Sequence, residues 1–370
     1  IDTEGLYPKV YHIDTNAQTA TDMEAEKTET GDVAVATDHF SMYDISLVAA
    51  RELSSTIGGD TFKDGGEFQL TGNVRTEDSI NQVTISRDTT IDLNGHTLTI
   101  SKAGQYFDVQ SGATLTIKDS QAPEETVSDV SGDVYGHVAT LNENTLTYYI
   151  TESTPDGTGT KETLKQHTIT LTGAILCEQG SDQAIKVNNG GTLDIQSGAL
   201  RNSNGKRVVQ MESGTLNMTG GYIVGGGSNN TDNGGGIYVN NGTVNISGGV
   251  IAANSGTKGG GICINGGFLT MSGGVISGNQ TKGSASVGSW DTGLGGGVFA
   301  QNTNVTIKDD GYITNNRENV TCGQNSYGCH GGGGIATKGG RLAMEGGFVT
   351  GNYSKEAGGG MYIGHFNQGR

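Results

Sequence analysis

The sequence has 370 residues, of which 64 are glycine and only three proline, and it carries 39 acidic against 22 basic side chains for a formal charge of −17. No Gly-X-Y period runs through the glycines, which excludes collagen, and regular pairs of Val, Ile, Leu and Tyr between them exclude a solvated linker. The acidic balance repels nucleic-acid phosphates and anionic lipid heads, and the apolar runs are far shorter than the roughly 18 residues that span a bilayer. Four cysteines with no Cys-x-x-Cys pair are too few for a disulfide scaffold or a structural zinc site. No metal or cofactor is therefore expected, and neither nucleic acid nor membrane insertion.

Residues 1–50 are acid-rich and low in glycine, with strand-like runs at Lys9–Ile13, Val33–Ala36 and Phe40–Ile45. They read as part of a small β-sandwich-like module ahead of the main domain, residues 51–370. Alternation of apolar and polar residues then marks strands at Val83–Ile85, Thr90–Leu93, Thr97–Ile100 and Thr114–Ile117, with Asn94-Gly95 as a turn. The period breaks at about 119–166, where Pro123, several acids and Tyr148-Tyr149 predict an excursion or strand pair outside the regular array. It resumes at Ile185 and Gly191–Ile195, then at Val208 and Gly214–Met218.

From there the repeats are explicit. A glycine triplet and an apolar residue recur at Gly234–Ile237, Gly259–Ile262, Gly295–Val298, Gly332–Ile335 and Gly358–Met361. Each triplet leads to a second strand, as in Gly267–Met271, and a third, as in Gly274–Ile276 running to Asn279. Strands of three to five residues cannot bury their own apolar faces, so the repeats must stack, each strand pairing in parallel with its counterpart about 4.8 Å away. The predicted fold is all-β, a parallel β-helix with three short strands per coil. Roughly nine or ten coils make it about 45 Å long. Glycine supplies bends with positive φ, and the asparagines are expected in left-handed positions and as a stacked amide ladder.

These motifs resemble the right-handed parallel β-helix repeats of large surface proteins in gut-dwelling Gram-positive bacteria, and the GG-[AILV]/F-x-x-N repeats of polymorphic outer membrane adhesins, a pectate-lyase-like fold. Arg87–Ile100 is similar to the opening coil of such proteins, and Thr37–Tyr43 to the closing strand of the modules that precede it. The resemblance implies right-handed winding, an extracellular bacterial location and a choice of roles, since one solenoid carries adhesins, glycosidases and lyases. The last coil opens at Gly358 and the sequence stops at Arg370 without a polar cap. That is expected of a fragment, or of a solenoid whose open end self-associates or is covered by another chain.

Two repeats lengthen from about 25 to about 36 residues at one place, giving long loops at 280–294 and 317–331. Equivalent loops on adjacent coils project from one side. They hold the single tryptophan, Trp290, beside Asp291, and then Glu318, Cys322, Tyr327, Cys329 and His330. Aromatic rings beside carboxylates suit a carbohydrate site, so Trp290, Asp291, Tyr327 and His330 are the candidate ligand-binding residues. Cys322 and Cys329 are positioned to close a small disulfide in an oxidising compartment. Cys177 and Cys263 read as packing residues. The expected function is an adhesin or structural stalk presenting loops to glycans or host surface molecules. A glycosidase is the enzymatic alternative, with Asp291 and Glu318 as the carboxylate pair; a lyase using Arg317 and His330 is weaker, and a filament assembled through the solenoid ends is a third reading.

Overall fold

The computed structural model of the chain describes residues 50–364 with their side chains, except 156–158, 179–182, 204–205, 228–232, 283–293, 321–330 and 356–357, and gives backbone strands alone within 6–49, at 284–285 and at 321–322. Every regular element among the described residues is a β-strand. In the first 49 residues, Leu6–Asp14 pairs antiparallel with Thr19–Met23 and with Met42–Ala49, and Ala25–Lys27 with Val33–Val35.

Beyond residue 50 the strands form long parallel sheets in which each repeat pairs, in register, with the next. A 15-stranded sheet runs from Arg51–Leu53 to Met361–Gly364, and a nine-stranded second sheet ends at Phe348–Thr350. The register follows the repeat. Ile117, Ile195, Met218, Ile246, Met271 and Ile307 are successive partners in the long sheet. Ile175, Leu200, Ile223, Ile251, Ile276 and Ile313 do the same in the second. All of them lie within a single buried cluster that extends from Ile57 to Ile335. Each such side chain removed from water contributes roughly 1.5–3 kcal/mol, which is why strands this short are stable only as a column.

Two departures from the expected coil have clear causes. In the four later repeats the first two predicted strands are one bent ten-residue strand, as in Ile237–Ile246 and Ile262–Met271; the bend falls at left-handed residues such as Asn241 and Gly266-Gly267. A further two-residue strand follows the repeat asparagine. Ser255-Gly256, Gln280-Thr281, Arg317-Glu318 and Tyr353-Ser354 pair in parallel as a narrow third sheet. The glycine triplet joins that sheet back to the long one. At its centre, a methyl group on Gly260 would collide with the carbonyl oxygens of Gln280 and Gly296. The triplet is thus a backbone-on-backbone corner with no room for Cβ.

The predicted amide ladder is present at Asn254, Asn279, Asn316 and Asn352. The Nδ2 of each of the first three donates to the next Oδ1 at 3.0–3.1 Å, and all four Nδ2 groups donate to an isoleucine carbonyl of the preceding repeat at 2.7–2.9 Å. Each Oδ1 from Asn279 onward also accepts the backbone N–H of the previous ladder residue. These asparagines are not the left-handed ones. Positive φ falls on the residue just before each, Ala253, Gly278, Asn315 and Gly351, while other asparagines, Asn94, Asn241 and Asn302, also take it.

The excursion is a four-stranded antiparallel sheet built from Glu124–Val130, Thr140–Asn142, Thr145–Pro155 and Thr160–Thr170. It lies against the outer face of the second parallel sheet. Leu146, Tyr148, Ile150 and Ile169 pack there on Ala199, Val224, Val250 and Ala252. At the start of its central strand, Thr145–Pro155, the turn residue Asn144 accepts from Arg201 Nη1 at 2.8 Å, and along it Thr151 N donates to Thr314 Oγ1 at 3.1 Å and Thr350 Oγ1 donates to Thr151 O at 2.7 Å. Residues 144–151 span about 23 Å as extended chain, and five steps of the second sheet span about 24 Å. The central strand therefore runs along the stack, across the repeats. Asp119 closes the entry point, accepting from Gly95 N, Gly173 N and Thr172 Oγ1 at 2.6–2.7 Å.

At the beginning of the stack the core is covered by Phe62, fully buried and edge-on to Phe68 at 4.7 Å. In the last described strands, inward-column residues Met344, Met361 and Ile363 are 42%, 40% and 69% exposed.

Candidate functional site

Both insertions leave the stack from the narrow sheet. Gln280 pairs with Arg317 there, so the first residues of each predicted loop belong to the stack itself. Further out, Ser284-Ala285 pairs in parallel with Thr321-Cys322, so the two insertions run together as they emerge.

Their roots are fixed by buried groups. Glu318 is 2% exposed; Oε1 accepts from Val320 N at 2.7 Å, and Oε2 from Ser354 Oγ at 3.0 Å and Lys355 N at 3.1 Å. This carboxylate ties the second insertion to the following repeat, its lone pairs engaged by protein donors. The first insertion returns through Leu294, whose carbonyl accepts Gly259 N at 2.9 Å. Its side chain is buried on Cys263, Phe299 and Ala336, outward residues of the long sheet flanked by Tyr238 and Tyr362. The Arg207 guanidinium stacks 4.8 Å from the Tyr238 ring, and the Lys258 ammonium 5.6 Å from Phe299. Burial pushes the Cys263 thiol up to about 12, so it packs as a neutral thiol. Cys177 is buried and free as well.

Of the residues singled out from sequence, Trp290, Asp291, Tyr327, Cys329 and His330 lie outside the described residues, and Cys322 is placed as backbone only. Among the described residues no three His, Cys, Asp or Glu gather to hold a metal ion, and no helix is long and apolar enough to cross a membrane.

Two surface features escaped the sequence reading. On the outer face of the long sheet, Asn217 Nδ2 donates to Asp194 Oδ1 at 2.7 Å and Asn245 Nδ2 to Asn217 Oδ1 at 2.9 Å. These three line a shallow trough of about 400 Å³, of mixed polar and apolar lining, with Ile195, Gln196, Met218, Thr219 and Ser247. Its signal was the polar residue between apolar partners in Leu193-Asp194-Ile195, Leu216-Asn217-Met218 and Val244-Asn245-Ile246. The second feature is a stack of Arg317 on Tyr353, with the guanidinium 4.8 Å from the ring centroid. The repeat places the two in register, each directly after a ladder asparagine, but a two-residue strand has no period to show that they are paired strand residues facing outward.

No family model, curated protein or solved structure matches the chain.

Proposed function

We propose that the chain is a right-handed parallel β-helix exposed outside a bacterial cell, an adhesin or stalk that presents its paired insertions to glycans or host surface molecules. The observation that carries this reading is the joint emergence of the two insertions from neighbouring repeats, each with a buried anchor, Leu294 for one and Glu318 for the other. Rigid roots under long polar loops are how a repeat scaffold builds a recognition surface. The aromatic and acidic residues that suit saccharides, Trp290, Asp291, Tyr327 and His330, all belong to those loops.

The test is a glycan array read for binding, with the same glycans followed by mass spectrometry for cleavage. Binding without cleavage, abolished by Trp290→Ala, is the expected result. Cleavage abolished by Asp291→Ala would replace the adhesin with a glycosidase.

A further inference from the structure

The narrow sheet presents an outward face at the place where the insertions begin. Thr281 and Glu318 are buried, 0% and 2% exposed, so their neighbours along each strand point the other way. One outward column is Gln280, Arg317 and Tyr353, successive partners in the sheet. The adjoining column is Lys282, Asn319 and Lys355. Lys282 N donates to Gly256 O at 2.9 Å and Lys355 N to Glu318 O at 3.3 Å, extending the same parallel pairing by one residue. Lys282 and Lys355 are thus two repeats apart, about 10 Å, with Arg317 on the repeat between them.

Three cations share this face of a chain whose formal charge is −17. No carboxylate among the described residues pairs with Lys282 or Arg317, and the Arg317 Nε is shielded from water without a hydrogen-bond partner. The half-buried guanidinium has no protein carboxylate to neutralise it among the described residues, so its outer nitrogens are the donors left for a ligand. Tyr353 holds it flat at 4.8 Å, so its planar donor fork is oriented before anything binds. That fork fits the paired oxygens of a carboxylate or a sulfate, and flanking lysines add charge without demanding geometry. The carboxylate of Glu318 faces inward and is occupied by Val320, Ser354 and Lys355.

We propose that Lys282, Arg317 and Lys355, with the Tyr353 ring beneath the guanidinium, form a recognition site for the anionic group of an acidic saccharide. This rests on the glycan-binding reading and narrows its ligand class. Carboxylate and sulfate satisfy the same donors, so the probes separate them. They are a hyaluronan hexasaccharide and its carboxyl-reduced form, and a keratan sulfate hexasaccharide and its desulfated form, titrated by calorimetry against the full chain.

At least one charged probe is expected to bind about tenfold or more tightly than its neutral counterpart, with the ratio falling as salt is raised. Arg317→Gln removes the preference, and Arg317→Lys restores only part of it because the bidentate fork is lost. Lys282→Gln weakens it without touching the Tyr353 stack, and serves if Arg317→Gln fails to fold. Equal binding of charged and neutral probes, with Arg317→Gln shifting only the melting temperature, would reduce the pair to a packing contact. In that case loss of binding in Trp290→Ala would keep the adhesin reading while the anion site falls; silence from every probe and every arrayed glycan would remove both.

Discussion

Asn316 shows what one side chain does in this architecture. It is fully buried, its Nδ2 donates to Ile276 O and Asn352 Oδ1, and its Oδ1 accepts from Asn279 N and Nδ2. Asn316→Ala strips partners from the repeats on both sides and leaves buried donors and acceptors unpaired. A loss of about 3 kcal/mol is expected in urea unfolding. The ladder was legible because an asparagine recurs at one register. The left-handed positions were legible only in part: Asn94, Asn241, Asn302 and Asn315 take positive φ, but the ladder asparagines do not, and the residue before each takes the turn instead. Where that residue is not glycine it is Ala253 or Asn315, so no single residue type marks the site.

The same limit applies to whole elements. A break in the period disclosed the excursion, but not that it folds back, since its docking signal is one small residue per repeat: Ala252, Ser277, Thr314 and Thr350, aligned by register. Its insertion point is clearer in retrospect. With Ile117 in register with Ile195, Lys118 (the end of its strand), Asp119 and Gly173 occupy the places that Gln196, Ser197 and Gly198 take in the next repeat. Deleting residues 120–172 therefore leaves a corner of ordinary length. The shortened chain is expected to keep its parallel sheets by circular dichroism but to bind a hydrophobic dye where Val224, Val250 and Ala252 are uncovered. Alkali should open the same junction in the intact chain. Burial pushes the Tyr222 hydroxyl up to about 12, and burial raises Tyr148 still further. Both values lie above the unfolded value of about 10, so the folded state holds these protons longer. Their stabilisation is complete below pH ~10 and, for Tyr222, is lost as pH rises from there through about 12. Phenolate absorbance should rise late, together with loss of accessory-sheet contacts.

For the molecule as a whole, each repeat touches its neighbours on either side, so stability is a sum of nearest-neighbour terms. Protection from hydrogen exchange should be greatest in the repeats between Ile237 and Asn316, which are flanked on both sides and carry the ladder. It should fall toward Met361 and Ile363, whose inward side chains are exposed. A flat profile would show a single cooperative unit instead. The apolar columns and the place of the insertions were readable from spacing alone. The cationic face of the narrow sheet was not, since Gln280, Arg317 and Tyr353 each follow a ladder asparagine but lie in strands too short to show by alternation which way their side chains point.

The accessory sheet also sets an order of events. Thr151 is bonded to Thr350, 199 positions later in the chain. Parallel pairing can advance from the N-terminal end as sequence emerges, each new turn templated by the last, but the sheet's central strand cannot finish docking until the turn at Thr350 exists. Leu146, Tyr148 and Ile150 can cover Ala199, Val224, Val250 and Ala252 as soon as those turns exist, whereas the tie at Thr151 waits for Thr350, and that long-range closure is the entropically slow event. A chain that stalled before residue 350 would keep most of its windings and a clasp fastened from Arg201 to Thr314, but open at its far end.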